Sequence, residues 1–306
     1  MTEPGPGLQA TYTPPPPDIC HLVSGSLRVC LPAEPYVVPA TLAPMLLYVL
    51  TGSLVMAEAA SATGQRPAQA TCLPRALPRF SVCGGTRSVR RLHATPGTQV
   101  LLTPVRPGQC TRLLGLPAGE LFEQLVDAAE LLPTAPLARL HGQMDAALQP
   151  ADAPHPNAQA VTGTWHGFLC VLQRQHHRLD AGLVVPPDWL DTSVPTLAQQ
   201  WGLSVRQFER RFQAAHGQSL RAYRQQSRCS RLLTQVSGAL GQPLSWADTA
   251  ASAGYADQAH LSRDVLRFTG HTPAALLAGV RAHSPALWPF HVSPQVMPRW
   301  FGPHGY

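Results

Sequence analysis

The spacing of apolar residues changes near residue 115, and the change divides the sequence into a β-patterned part and a helical part. Before that point, apolar residues come in short runs bounded by Gly, Pro and Ser, which is typical of strands joined by turns. The runs predict two strands within residues 45–56 around Gly52, a hairpin over residues 80–92, and a further strand over residues 98–105.

After that point, apolar residues recur every three or four positions, which indicates helices. The first three are predicted at residues 118–132, 137–148 and 158–178. The whole pattern predicts an α+β fold with five successive parts: a disordered arm (1–18), a β-rich sensory or dimerisation domain (19–135), connecting helices (136–180), an all-α domain (181–283) and a tail (284–306).

One local pattern occurs twice in the all-α part, at residues 197–212 and 247–265. Each copy has a short helix of small residues, a glycine (Gly202 or Gly254) and then a second helix with arginines on one side. Glycine adopts the left-handed conformation that ends a helix at little cost. The pattern is that of a helix-turn-helix unit, and two such units in one chain indicate DNA binding.

The second helix of the first copy has distinct inner and outer faces. Ser204 and Gln207 have the spacing of a capping box, so the helix should begin there. Phe208, Phe212 and Ala215 share one side at helical spacing and should be buried. The polar side carries the candidate DNA-binding residues of this copy: Arg206, Glu209, Arg210 and Gln213.

The second copy repeats this arrangement. Ser245 and Asp248 predict a capping box for its leading helix, and Asp257 should cap its second helix. Leu261 and Val265 should face inward. The residues expected toward the outer side are Ala259, His260, Arg263 and Arg267.

Charge supports this assignment because the basic excess is local. The chain has a net charge of +6, and all 23 of its basic residues are arginine. Residues 191–283 hold 10 arginines against 5 acidic residues, whereas residues 1–190 are balanced. A basic excess on the segment with the repeated unit is expected of a DNA-binding module, although a solvated basic surface would look the same.

Residues 204–273 resemble the AraC/XylS family of transcription regulators. The resemblance rests on Gly-Tyr-Ala-Asp-Gln-Ala-His-Leu-Ser-Arg at residues 254–263, Thr-Gly-His-Thr-Pro at residues 269–273, and the Phe208–Phe212 pair. It implies two helix-turn-helix subdomains joined by a linker helix over residues 219–236. The base-reading positions that it implies are Arg206, Glu209, Arg210, Gln258, Ala259, His260 and Arg263.

Two departures from the family pattern lie in the second unit. Ala259 offers only a methyl group to a base, and Val265 replaces the usual phenylalanine. We therefore expect the first unit to carry most of the sequence choice. The implied protein is a bacterial regulator, an activator or a repressor, that binds promoter DNA. RNA polymerase, an unknown small-molecule effector and a homodimer partner are further possible partners.

Other chemistry receives little support from the sequence. No catalytic motif or phosphate-binding glycine loop is present, so we predict neither an enzyme nor a cofactor, and a DNA-targeted enzyme is the alternative. A metal- or redox-responsive sensor is another alternative. His166 and Cys170 are possible metal ligands, whereas His177 is too far along the helix to bind the same ion. Cys72 and Cys83 are possible redox-sensing thiols. The odd number of cysteines, seven, without close pairs in the sequence is more typical of cytosolic thiols than of a disulfide framework. The apolar run at 45–56 is too short to span a bilayer, so we predict a cytoplasmic protein without a membrane partner.

Overall fold

The computed structural model describes residues 9–57, 75–149, 158–238, 245–292 and 296. Its strands all belong to the first half of the chain. They are β1 (Ala10–Thr13), β2 (Ser26–Cys30), β3 (Tyr36–Val38), β4 (Met45–Thr51), β5 (Leu54–Ala57), β6 (Arg75–Ala76), β7 (Phe80–Cys83), β8 (Arg90–Ala94), β9 (Gln99–Pro104) and β10 (Leu125–Asp127).

The strands form two antiparallel sheets. The larger has the order β1-β2-β9-β4-β7-β10, and the smaller has the order β3-β8-β5-β6. The two strands expected around Gly52 are confirmed as β4 and β5. They lie in different sheets, and Gly52, with a φ of 75°, marks the point where the chain passes from one sheet to the other.

The hairpin predicted over residues 80–92 is wrong. β7 pairs with β4 and β10 in the larger sheet, whereas β8 pairs with β3 and β5 in the smaller one. Between them, Gly84 passes so close to the backbone of Leu121 that a side chain would collide with it. The glycines therefore permit a close backbone approach, which the sequence pattern cannot distinguish from a tight turn.

The helices follow in the order α1 (Cys110–Leu114), α2 (Ala118–Leu121), α3 (Ala128–Leu131), α4 (Thr134–Leu148), α5 (Ala158–His176), α6 (Val194–Gln200), α7 (Val205–His216), α8 (Leu220–Gly238), α9 (Trp246–Ser252), α10 (Gln258–Thr269) and α11 (Pro273–Arg281). Short 3₁₀ helices occupy Pro187–Trp189 and Pro285–Phe290. The single helix predicted over residues 118–132 is wrong, because β10 interrupts it. Glu123, with a φ of 62°, ends the helical path, and the next residues pair with β7.

Helices α4 and α5 belong to the first domain and are not mere connectors. Alternate residues of β4 face opposite ways: Leu47 packs toward the smaller sheet and Tyr48 toward the helices. Trp165 and Phe168 of α5 form an aromatic cluster with Tyr48. The predicted division at residue 136 therefore cuts through a continuous core.

Both predicted chain ends need correction. Within the expected disordered arm, residues 10–13 form β1, which pairs with β2. Residues 1–8 of that arm lie outside the described residues. In the tail, Trp288 and Phe290 are buried against the first domain, although Pro-rich composition gave no periodic signal for this. Residue Val185, near the start of the predicted all-α domain and before its first helix, is buried as well.

The predicted helical repeat is confirmed at the level of its elements. Helices α6 and α7 form the first unit, α9 and α10 the second, and α8 joins them. The first unit has a separate apolar core around Leu197, Phe208 and Phe212. The core of the second unit, with Leu261 and Val265, is continuous with the core between the two sheets.

Candidate DNA-recognition surface

Local hydrogen bonds set the start of α7 at the predicted residue. The Ser204 backbone N–H donates to Gln207 Oε1 at 3.0 Å, and the Gln207 N–H donates to Ser204 Oγ at 3.2 Å. This is the reciprocal capping box expected from the sequence. Gly202 has a φ of 62°, so it makes the left-handed turn between α6 and α7.

The polar side of α7 is open to solvent. Arg206, Glu209 and Arg210 are exposed, while Phe208 and Phe212 on the opposite side are buried. Gln213 is exposed too, but its Nε2 donates to the Gly217 carbonyl at 3.2 Å and so closes the end of the helix. Two guanidinium groups and a carboxylate are thus displayed within one turn and a half, a set able to contact guanine and cytosine edges.

The other end of α7 is held by the segment that precedes α6 and by α2 of the first domain. The His216 ring stacks on Phe212 with centroids 4.2 Å apart, and its Nε2 donates to the Leu183 carbonyl at 2.9 Å. Burial lowers the pKa of His216 to about 4, so the ring is neutral at pH 7. At Gly119 of α2, a Cβ would lie 2.8 Å from the Ala214 carbonyl, so the two backbones approach closely.

Helix α10 begins at a single side-chain cap. Asp257 Oδ1 accepts from the His260 backbone N–H at 2.6 Å. Gln258, Ala259 and Arg263 are exposed near this end. In the leading helix α9, Ser245 Oγ accepts from the Asp248 N–H at 3.3 Å, which is the Ser245 side of the predicted capping box.

Two of the predicted outward residues of α10, His260 and Arg267, are half-buried. His260 is half-buried, packs edge-on against Tyr255, and places its Nε2 3.9 Å from Asp264 Oδ2. Arg267 is also half-buried, with its guanidinium over the Phe268 ring. Burial, followed by the charge of this arginine, lowers the pKa of Arg87 in the first domain. Arg267 thus lies on the side of α10 that faces the β-sheets.

A buried carboxylate connects α10 to the linker helix. Asp264 is 3% exposed and accepts from Gln225 Nε2 of α8 at 2.7 Å. Burial raises the pKa of Asp264 above its ordinary value. Nothing in the family-type pattern distinguished this aspartate from a surface residue, and only its step of three from core residue Leu261 hinted at burial.

Further polar contacts join the helical units to the first domain. The Ala40 N–H donates to the Phe268 carbonyl at 2.8 Å, and Gln226 Nε2 of α8 donates to the Thr86 carbonyl at 2.9 Å. Glu123 braces the same loop, because its carboxylate accepts from Thr86 Oγ1 at 2.7 Å and from the Arg87 N–H at 2.7 Å. These docking residues were missed by the sequence analysis, which treated the two halves separately.

The described residues give no support to a metal or redox centre. His166 Nε2 lies 3.2 Å from Ser26 Oγ, and burial lowers the pKa of this histidine. Burial raises the pKa of the Cys83 and Cys170 thiols, which disfavours the reactive thiolate. No group of three or more possible metal ligands occurs within the part of the chain that the structure describes. Cys72 lies outside that part.

Comparison with known proteins assigns the helical repeat. The sequence matches a family model described as a helix-turn-helix domain, over residues 197–279. Residues 197–279 are an AraC-type helix-turn-helix domain. This AraC-type domain is of the class that binds DNA in transcription regulators, and it contains helices α7 and α10. Among the described helices, none has the length and apolarity needed to cross a bilayer.

Solved structures of ToxT from Vibrio cholerae are similar to the whole chain at 8% identity. The structure bound to (E)-4-(8-methylnaphthalen-1-yl)but-3-enoic acid has a TM-score of 0.44 and covers 89% of this chain and 98% of that one. The unsaturated fatty acid-bound structure has a TM-score of 0.41, with 90% and 97% covered. An apo variant has a TM-score of 0.43, with 90% and 99% covered. No curated protein matches the sequence.

Proposed function

We propose that the protein is a sequence-specific transcription regulator in which α7 carries most of the base recognition. The observation that supports this most strongly is the display of Arg206, Glu209 and Arg210 on the exposed side of a helix whose opposite side is buried. Arginine can donate two hydrogen bonds to a guanine edge, and glutamate can accept one from cytosine N4. The basic excess of the helical half supplies the phosphate contacts.

In this proposal α10 contributes a smaller contact set. Gln258, Ala259 and Arg263 are available to the major groove, with Gln258 suited to adenine and Ala259 to a thymine methyl group. His260 and Arg267 act on recognition through the position of α10, because both are half-buried against neighbouring groups. Gln213 lies at the edge of the α7 surface and contacts a phosphate or a flanking base.

The β-rich half modulates DNA binding through a small molecule. A cavity of about 70 Å³ lies between the two sheets and is lined mainly by apolar side chains. Polar contacts from that half reach α8 and α10, so a change in the sheets has a direct route to the DNA-binding units. Dimerisation and contact with RNA polymerase remain predictions of the family resemblance.

The test is selection of duplexes from a random pool by the full-length protein, followed by footprinting of the selected site. We expect a defined site, and an affinity that falls linearly with salt on logarithmic axes. Arg206→Ala should change the selected sequence. Arg139→Ala, a matched change at an exposed position of α4, should not. Binding that is indifferent to sequence would overturn the proposal.

A further inference from the structure

The cavity between the sheets has a strongly apolar lining. The larger sheet contributes Leu47, Val100 and Leu102, and the smaller sheet contributes Leu54 and Leu92. All five side chains are buried. An apolar cavity of this kind excludes water and favours an apolar occupant, because water inside it would lack hydrogen-bond partners.

The third wall of the cavity comes from the far end of the chain. Residues 284–292, here called the C-terminal segment, place Trp288, Pro289 and Val292 against the sheets. The Trp288 ring meets Tyr36 of β3 edge to face, with centroids 5.8 Å apart. The segment directly follows α11, and a Cβ on Gly279 of that helix would lie 2.5 Å from Leu287 Cδ1. One wall is therefore attached to the second helix-turn-helix unit.

Trp288, one of the residues that line the cavity, carries a buried hydrogen-bond donor. Trp288 is 6% exposed, and its Nε1 has no hydrogen-bond acceptor among the described residues. A buried N–H without an acceptor is costly, and native structures rarely keep one without a reason. Arg90 also lines the cavity, and its Nη2 donates to the Gln124 carbonyl at 2.9 Å, so it has a partner already. Trp288 is the donor that an acceptor atom in the cavity would satisfy.

We infer that the cavity binds a compact apolar molecule with one acceptor oxygen, and that this oxygen accepts a hydrogen bond from Trp288 Nε1. The volume is about half that of the roughly 150 Å³ apolar cavity known to admit benzene. A small molecule of roughly three to four non-hydrogen atoms suits that size. The functional consequence of this inference rests on the proposed function. The segment that binds the effector is continuous with the second DNA-binding unit, so binding should affect DNA recognition.

Matched probes test the acceptor directly. Acetone and isobutene have the same shape and number of non-hydrogen atoms, and only the ketone has an acceptor oxygen. Ligand-detected NMR on the full-length protein should show the ketone binding about three- to tenfold more tightly, the range expected for one net hydrogen bond. Trp288→Phe should abolish the preference, while Trp189→Phe, on an exposed tryptophan elsewhere, should keep it. Equal affinities in the unmodified protein would overturn the inference.

A second variant covers the possibility that Trp288→Phe perturbs folding. Val38 is half-buried and lines the cavity, so Val38→Phe should fill it and weaken both probes at least tenfold. Unchanged probe binding in Val38→Phe would place the ligand elsewhere and overturn the site.

A DNA titration separates this inference from the proposed function. Saturating acetone should shift the DNA-binding midpoint, and an unshifted midpoint would overturn the coupling through the C-terminal segment. If the protein shows no sequence-specific DNA binding but still prefers the ketone, the proposed function is wrong and the ligand site is still supported.

Discussion

The two helix-turn-helix units share a sequence pattern but are anchored in different ways. The first has an apolar core around Phe208 and Phe212 that includes Leu42 of the first domain, and it also meets that domain through the Gly119 approach. The core of the second, including Phe268, is continuous with the space between the two sheets. The first unit contacts the β-rich half mainly at one end of α7, whereas the second unit shares a hydrophobic core with it.

The two units therefore differ in the side chains that they display to solvent and in how they are attached to the first domain. The first unit displays four exposed charged side chains on α7, including Arg206, Glu209 and Arg210, whereas α10 has one exposed arginine, Arg263, and a half-buried one, Arg267. Identical local signals can therefore produce similar helices with dissimilar roles, because residues outside the repeat determine how each unit packs. We expect the units to respond differently to matched changes.

The largest contrast should come from core truncation. Phe212→Ala and Phe268→Ala each remove a buried ring, and each should lower the free energy of unfolding by about 3–5 kcal/mol. Hydrogen exchange should show lost protection confined to the first unit for Phe212→Ala, and lost protection spreading into the sheets for Phe268→Ala. The same local pattern in both variants would contradict the shared core.

Acid should affect the two units with opposite signs. His216 has its pKa lowered from 6.5 to about 4 by burial, so the unfolded chain takes up a proton before the folded one. Stability is full above pH 6.5 and falls as the pH drops toward 4, by about 3 kcal/mol in all at about 1.4 kcal/mol per unit. His216→Gln should flatten this dependence in denaturant melts across that range.

Asp264 supplies the opposite trend in the second unit. Burial raises its pKa, so the folded state is penalised as the pH rises from the unfolded value near 4 through the folded one. Asp264→Asn keeps the acceptor for Gln225 and removes the buried charge. We expect its stability relative to the unmodified protein to be higher at pH 7 than at pH 4. A pH-independent difference would show that the carboxylate carries no such penalty.

The two units should also differ in how strongly they discriminate between bases, which is a smaller effect. Arg210→Ala should reduce the penalty for a substituted base in the site by about 1–3 kcal/mol, the range for a lost bidentate contact. Arg263→Ala should weaken binding to all sequences by a more similar factor, as expected if it mainly contacts phosphate. Competition assays with single-base variants of the selected site measure both, and a reversed order would make α10 the main reader.

The smallest effects should come from the helix caps. Ser204→Ala and Asp257→Ala each remove one cap and should cost about 1 kcal/mol of stability. The Ser204 change should reduce DNA affinity more, because the cap positions Arg206 in the first turn of α7. Equal losses of affinity would indicate that both helix starts matter alike for binding.

The sequence predicted what depends on neighbours along the chain. The caps at Ser204 and Asp257, the turns at Gly202 and Gly254, and the buried faces of both second helices were all visible as local patterns. Each is determined by residues within four positions, so no knowledge of distant partners was needed. Their use in base recognition stays a prediction.

Pairing over long distances was not visible. The apolar residues of β7 fit a hairpin as well as a central strand, and only the positions of β4 and β10 decide between the two. The half-burial of Arg267 and the burial of Trp288 likewise depend on a sheet more than 150 residues earlier in the chain. Isolated aromatic residues between prolines have no period, so periodicity could not predict where they pack.

The shared core has a consequence for inheritance and for protein engineering. DNA-binding domains are often exchanged between proteins as self-contained modules, but here a cut after the first domain would remove the sheet residues from the core that includes Phe268, and would break the hydrogen bond from the Ala40 N–H to the Phe268 carbonyl. The separated pieces would each carry a new apolar surface prone to association. Transplanting the first unit would break the close approach of α2 to α7 and remove Leu42 from its core, whereas the second unit must evolve together with the sheets whose core it shares.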